Sequence, residues 1–288
     1  MTLSAWTTDA YFTTAEQARR WIDITHTNSI MRQILPGFPM STGTYDVPKF
    51  SAGVTPGWQA EGGTKADSKP TPTKVSYTAK LCYILSVLGG QNWQDSSPSA
   101  QAALIEHMAK KLASEIDSKI LEGDGTGNAL TGFYNILNVN TEAYATDLPT
   151  SISQAMNEIE TDGGSPNFII MAPVVYGLLR VSTKNSNFVY DVQTGGPLSA
   201  WGVPIYRHRG MSTNLGDDSD ESWILVGDSE GAMVGNRSPV ELMISKEGYV
   251  DGVSLYETNQ IGFRMEERLA LAAEKPEFFC KLTGVPTS

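Results

Sequence analysis

An α+β fold is predicted by three features of this 288-residue chain: a long amphipathic helix in its first half, a middle stretch where helices alternate with strands, and a final third dominated by strands. Hydrophobic residues make up 40% and charged residues 18%. That is too apolar and too weakly charged for disorder, and the chain is long enough to bury a sizeable core. Length alone leaves one large domain or two smaller ones equally open.

Taken in order, Thr13-x-x-Glu16 reads as a capping box, with a helix following through Trp21. From Gly37 to about Lys74 the chain is rich in Gly, Pro, Ser and Thr, with only short extended pieces such as Thr44 to Phe50. Such a segment cannot bury a core of its own and is too long for an ordinary connection, so it reads as a long hairpin reaching away from the body. Val75 to Val87 follows as a strand with one buried face. Ser97 is a good N-cap, Pro98 suits the first helical position, and Leu104, Met108, Leu112, Ile116 and Ile120 line one face of a helix over Pro98 to Glu122. At 1.5 Å per residue this helix is about 37 Å long, enough to serve as a structural spine. Gly123 is expected to end it in the left-handed conformation.

Beyond a glycine-rich turn, Thr150 to Thr161 predicts a second amphipathic helix, Phe168 to Ala172 a buried strand, and Pro173 to Val181 a third helix opened by its proline. Strands are then expected at Trp223 to Val226, Ala232 to Gly235, Val240 to Ser245 and Gln260 to Met265. There is no internal repeat.

Composition excludes several function classes. No run approaches the roughly 18 to 20 apolar residues of a membrane-spanning helix, and Met1 to Tyr11 lacks the pattern of a secretory signal. Cys82 and Cys280 make neither a disulfide framework nor a zinc pair and read as packed thiols. With 32 acidic and 21 basic residues, the net charge of −11 disfavours sequence-specific DNA binding.

Candidate catalytic motifs fail one by one. Gly227-Asp228-Ser229-Glu230-Gly231 matches a hydrolase nucleophile elbow, but Ala232 to Gly235 looks like a strand where a helix is required, and no histidine follows Ser229. Gly123 to Gly127 follows a helix instead of opening one and lacks the lysine of a phosphate-binding loop. Asp217 to Glu221 lacks the glycine and the distal glutamate of a calcium loop and reads as solvated. His26, His107 and His208 are scattered, and Glu266 with Glu267 reads as surface charge or a subunit contact. No catalytic residue, cofactor or metal is expected, and the absence of a coherent site favours a structural or binding role.

Five segments, in order, resemble the major capsid proteins of tailed bacteriophages, the Hong Kong 97-type fold shared with encapsulin compartments. They are Trp58-x-x-Glu61-Gly62 with Lys69-Pro70 and Val75 to Leu81; the long helix running through Asp117 to Gly127 and Gly132; Phe168 to Leu179 with Leu198-x-x-Trp201-Gly202-Val203-Pro204-Ile205; Val226-Gly227-Asp228 with Arg237-x-Pro239-Val240-Glu241-Leu242; and Phe263-Arg264-x-x-x-Arg268 with Pro276 to Leu282. The resemblance implies a Hong Kong 97-like capsid fold with an N-terminal arm (1–36), an extended loop (37–78), a peripheral domain around the spine helix (79–135 and 236–270) and an axial domain (136–235 and 271–288). It implies self-assembly into hexamers and pentamers of an icosahedral shell, with Tyr45, Lys49, Phe50, Trp58, Glu61 and Lys69 of the extended loop at subunit interfaces. Expected partners are copies of the chain itself, a portal, a decoration protein, and packaged double-stranded DNA held without sequence specificity; no membrane is expected. Only about 40 residues precede the loop, so scaffolding is expected from a separate protein or not at all. Assembly is expected in the host cytoplasm, with the virion as destination. Some relatives weld subunits through a lysine, but Lys49, Lys65, Lys69 and Lys74 read as ordinary solvated lysines. An encapsulin-type shell is the alternative within this fold, and a serine hydrolase using Ser229 the alternative outside it.

Overall fold

The computed structural model describes residues 23–25, 27–52, 54–65, 67–145, 147–181, 183–184, 187–188 and 199–287. The helix expected over Thr13 to Trp21 lies outside them. The chain opens with helix α1 (Ile30–Ile34), strand β1 (Gly37–Pro39) and a hairpin of β2 (Thr44–Ala52) with β3 (Thr71–Thr78). Next come β4 (Lys80–Gly89), α2 (Gly90–Asp95) and the long helix α3 (Pro98–Glu122). The middle of the chain supplies β5 (Asn140–Ala143), α4 (Leu148–Thr161), β6 (Phe168–Met171), α5 (Pro173–Val181) and the short strands β7 (Thr183–Lys184), β8 (Asn187–Phe188) and β9 (Ser199–Ala200). The remainder is β10 (Val203–Arg207), β11 (Glu221–Gly227), β12 (Ala232–Ser245), β13 (Tyr249–Val250), β14 (Val253–Ser254), β15 (Gln260–Ala273) and β16 (Phe279–Pro286).

Two sheets carry the body. One has four strands in the order β1-β12-β15-β4, and the other six in the order β5-β16-β11-β6-β10-β9. All four residues of β6 are buried, which explains its unbroken apolar reading: a central strand covered on both faces shows no alternation. The two sheets share one apolar core, to which α3 gives Met108, Ala109, Leu112, Ile116, Ile120 and Leu121.

Several boundaries differ from the sequence expectation for identifiable reasons. The strand expected over Val75 to Val87 is two strands, because Ala79 leaves the ladder and donates its N–H to the Gly43 carbonyl at 2.8 Å. The separate strands expected at Ala232 and Val240 are one, β12, which absorbs Pro239 through register shifts between Asn236 and Glu241, since proline cannot donate to a ladder. Helix α4 starts two residues early because Asp147, not a later residue, caps it by accepting from the Thr150 N–H at 3.0 Å. Helix α3 spans the expected residues, with Ser97 Oγ accepting from the Ala100 N–H at 3.3 Å. Gly123 is not left-handed, however (φ −55°); glycine is needed there because a Cβ would sit 2.1 Å from the Leu130 carbonyl oxygen. The left-handed turn comes later, at Gly125 and Gly127.

Two of the chain's passages between the sheets run through one-turn 3₁₀ helices, Ser229–Gly231 and Pro276–Phe278. The turns are bonded to each other, Lys275 N–H to the Gly231 carbonyl at 2.9 Å and Asp228 N–H to the Phe278 carbonyl at 3.0 Å. Buried Asp228 fixes the waist by accepting from the Ser165 and Glu230 N–H groups, each at 3.0 Å.

Buried polar groups tie the remaining pieces to α3. Asp117, 0% exposed, accepts from Ser29 Oγ at 2.5 Å and from the Ile30 N–H at 2.7 Å, so it caps α1 from a residue 87 positions away. His208 Nε2 lies 3.6 Å from the same carboxylate, while its Nδ1 accepts from the Gly210 N–H at 3.0 Å. Burial holds the His208 imidazole below its ordinary value against the pull of Asp117 and Glu122, and burial pushes the Asp117 carboxyl upward. Glu122 receives the Ser212 N–H at 2.6 Å and the Trp223 indole N–H at 2.5 Å. Glu267, expected at the surface, is instead 2% exposed and meets Arg32 at 2.7 Å. That pair joins through a single oxygen; among the described residues, Glu267 Oε2 and Arg32 Nε and Nη1 have no hydrogen-bond partner.

Three outcomes are expected. Asp117→Ala strands the Ser29 hydroxyl and the Ile30 N–H inside the core and should lower the unfolding free energy by about 3 kcal/mol in urea titrations. Arg32→Met alone leaves a buried carboxylate without its cation and should cost about 3 to 5 kcal/mol, whereas Arg32→Met with Glu267→Leu should recover most of that loss, because the native pair is poorly satisfied. His208, whose folded value is depressed, contributes stability that is present above about pH 6.5 and lost as the pH falls below it. The urea midpoint should therefore decline on acidification through pH 6, and His208→Gln should flatten that decline.

Candidate functional site

The hairpin β2–β3 stands apart from both sheets, its register running from Thr44 opposite Thr78 to Ala52 opposite Thr71. One face carries Tyr45, Val47, Val75 and Tyr77. At the foot this face meets a small second core of Met40, Tyr77 and Ala270, with Phe38, Val47, Val75, Met233 and Ala272 packed around it. Phe38 lies edge-on to Tyr77 with ring centres 5.0 Å apart, and 5.5 Å from Tyr45.

Two polar links fix the hairpin to the end of β15. Tyr77 Oη donates to Glu274 Oε1 at 3.0 Å, and burial followed by that carboxylate raises the phenol above its usual range. Lys49 Nζ donates to the Glu274 carbonyl and lies 3.7 Å from Glu277. The opposite face is polar and solvated: Asp46 accepts from Lys74 at 2.8 Å and from Ser76 Oγ at 2.6 Å, which holds its carboxyl below the ordinary range. Lys49 is thus held against its own chain, while Lys74, though paired with Asp46, stays solvated as its sequence context suggests.

Among the six residues expected at interfaces, Tyr45 and Lys49 turn toward their own chain. Phe50 points away from it and is 68% exposed, while Trp58, Glu61 and Lys69 lie on the tip. Trp58 is wholly exposed at 103%. Sequence reasoning missed Phe38, Tyr77, Glu274 and Glu277, which hold the foot. The alternation of Val75 and Tyr77 with polar neighbours carried the signal for the first contact; nothing local announces the glutamates, about 200 residues away in the chain.

The motifs weighed for catalysis are engaged elsewhere. Ser229 begins a 3₁₀ turn followed by β12, not a helix, and its Oγ accepts from Asn167 Nδ2 at 2.9 Å, while His208 is committed to Asp117 and Gly210. Cys280 is buried and Cys82 half-buried; burial pushes their thiols up to about 12 and about 11. Among the described residues, no group of three or more His, Cys, Asp or Glu is placed to hold a metal ion, and no helix is long and apolar enough to cross a membrane.

The fold is similar to solved structures from phages and related particles. A chain from Microbacterium phage Oxtober96 superposes with a TM-score of 0.72 at 19% identity, covering 88% of this chain and 90% of that one. One from Gordonia phage Cozz gives 0.73 at 17% identity, covering 88% and 85%. The capsid of an empty GTA particle gives 0.72 at 14% identity, covering 90% of each. No curated protein matches the chain. The model of the phage capsid family matches residues 10–284. A Hong Kong 97-type body and that match together place the protein: the chain belongs to the phage capsid family and is a structural component of a virion shell, not an enzyme.

Proposed function

We propose that copies of this chain form hexamers and pentamers that close an icosahedral shell around packaged double-stranded DNA, and that the extended hairpin is what each copy gives to its neighbour. The observation that carries this reading is the hairpin itself. Two strands alone are marginal in water, and this pair has core contacts at its foot and a fully exposed aromatic on its tip. A neighbouring subunit supplies the missing burial. Phe50, Trp58, Glu61 and Lys69 make the contact, and Tyr45 and Lys49 set the hairpin's angle from its base.

In this reading the arm is 1–36, the extended loop 37–78, the peripheral domain 79–135 with 236–270, and the axial domain 136–235 with 271–288. Strand pairing supports the division and moves its seams slightly: Ala232–Gly235 pair with Ala270–Ala273 inside the four-stranded sheet, so they go with the peripheral part. The net charge of −11 suits a container that confines DNA without gripping it, since few phosphate contacts release few counterions. Portal, decoration and any scaffolding functions fall to separate proteins.

Negative-stain electron microscopy of the full chain, alone and co-expressed with its genomic neighbours, tests the proposal alongside light scattering. Closed shells, or rings of five and six, are the expected result. A monomer under every condition sinks it.

A further inference from the structure

His208 stands where the chain leaves the six-stranded sheet and is fastened to α3. Its backbone N–H donates to the Met171 carbonyl of β6 at 3.0 Å, while its ring lies against the helix, with Nε2 3.6 Å from Asp117. Beyond it Met211 is buried in the core, and Ser212 gives Glu122 both its N–H, at 2.6 Å, and its hydroxyl. The segment from His208 to Ser212 is therefore a clasp between sheet and helix. Its geometry depends on which ring nitrogen carries a proton.

The donors settle that question. A backbone N–H only donates, so the Gly210 N–H, 3.0 Å from Nδ1, requires an unprotonated Nδ1. The neutral ring then carries its one proton on Nε2, facing Asp117. This is the turn that an Asn or Asp makes with the residue two further on, built with an imidazole nitrogen in place of a side-chain oxygen. Unlike an amide oxygen, that nitrogen takes up a proton in mildly acid solution.

We infer that His208 is a proton-operated latch: protonation at Nδ1 sets two N–H groups head to head, expels Gly210, and releases the loop that fastens the six-stranded sheet to α3. No slack absorbs the change. A Cβ at Gly210 would lie 2.0 Å from Ser118 Oγ and 2.6 Å from His208 Cε1, so the loop is already pressed between helix and ring. Asp117 and Glu122, both on α3, attract the imidazolium, whereas burial opposes it more strongly, which keeps the change on the acid side. The nearby cations stand aside: Arg207 lies over the Tyr176 ring at 4.9 Å, Arg32 is held by Glu267, and Arg209 is exposed. The proton enters at the ring and not at the carboxylate. Asp117 is 0% exposed and already accepts from Ser29 and Ile30, whereas His208 is 7% exposed. The contacts of α1 with Asp117 consequently survive when the loop lets go.

Hydrogen exchange of the full-length chain, followed by mass spectrometry and referred to the intrinsic amide rates at each pH, tests the latch. Between about pH 7.5 and about pH 5, protection in a peptide covering Arg209 to Ser212 should fall about tenfold, while protection across Ile30 to Ile34 stays level. His208→Asn keeps an acceptor for the Gly210 N–H and removes the titration, so its loop should remain protected at both values. A second readout uses the parent chain alone: with three histidines present, imidazole nitrogen shifts of the unassembled chain should show His208 with its proton on Nε2 at neutral pH. A proton on Nδ1 at neutral pH, loop protection that ignores pH, a His208→Asn loop that still opens in acid, or α1 opening ahead of the loop each overturns the inference. The latch lies within one chain, so none of these outcomes bears on the assembly reading.

Discussion

Everything in the body of this protein is referred to one buried carboxylate. Asp117 sits midway along the buried stripe of α3, where burying a charge is costly unless donors converge on it. Here they do: a hydroxyl and a backbone N–H from the start of α1, with His208 from the loop that leaves the six-stranded sheet. Apolar packing along α3 is non-directional and tolerates sliding; a carboxylate with fixed partners does not. Five residues further on, Glu122 repeats the device toward Ser212 and Trp223. The helix therefore fixes the positions of arm and sheet, and the apolar core supplies the energy that holds them there.

That rigidity in the body contrasts with the far end of the hairpin: one face packs on the body as far as Lys49, and beyond it Phe50 and Trp58 are exposed. A chain that must function alone would not extend two strands and an exposed tryptophan into water. A subunit of a shell can, provided that a neighbour supplies the missing burial, as we propose. The family assignment and the physics of the hairpin thus give the same account of why the molecule looks unfinished.

Local patterns were legible in the sequence where one element decides its own conformation. Ser97-Pro98 and the stripe from Met108 to Ile120 specified α3 to the residue, and the four apolar residues of β6 announced a central strand. The extended loop was legible by default, from a stretch without periodicity that could not form a core. What could not be read were partners chosen across the chain. Glu267 looks like a surface charge because its cation, Arg32, is 235 positions away. Gly123 looks like a left-handed stop because the Leu130 carbonyl that crowds it belongs to the returning turn. The clamp on the hairpin could not be read either, since Glu274 and Glu277 become neighbours of Lys49 and Tyr77 only once β15 is in place.

The position of that clamp links the two halves of the design. Lys49 and Tyr77 hold the hairpin to Glu274 and Glu277, and these residues flank Lys275 and Pro276, where the chain crosses between sheets. Lys275 is in turn bonded to Gly231 of the other crossing. A Cβ at Gly231 would meet the Lys275 carbonyl and the Phe278 and Phe279 side chains within 3 Å, so the waist has no slack. The hairpin's angle is consequently set at the same few residues that set the angle between the two sheets. Because the waist has no slack, the hairpin and the two sheets are held at one fixed set of angles.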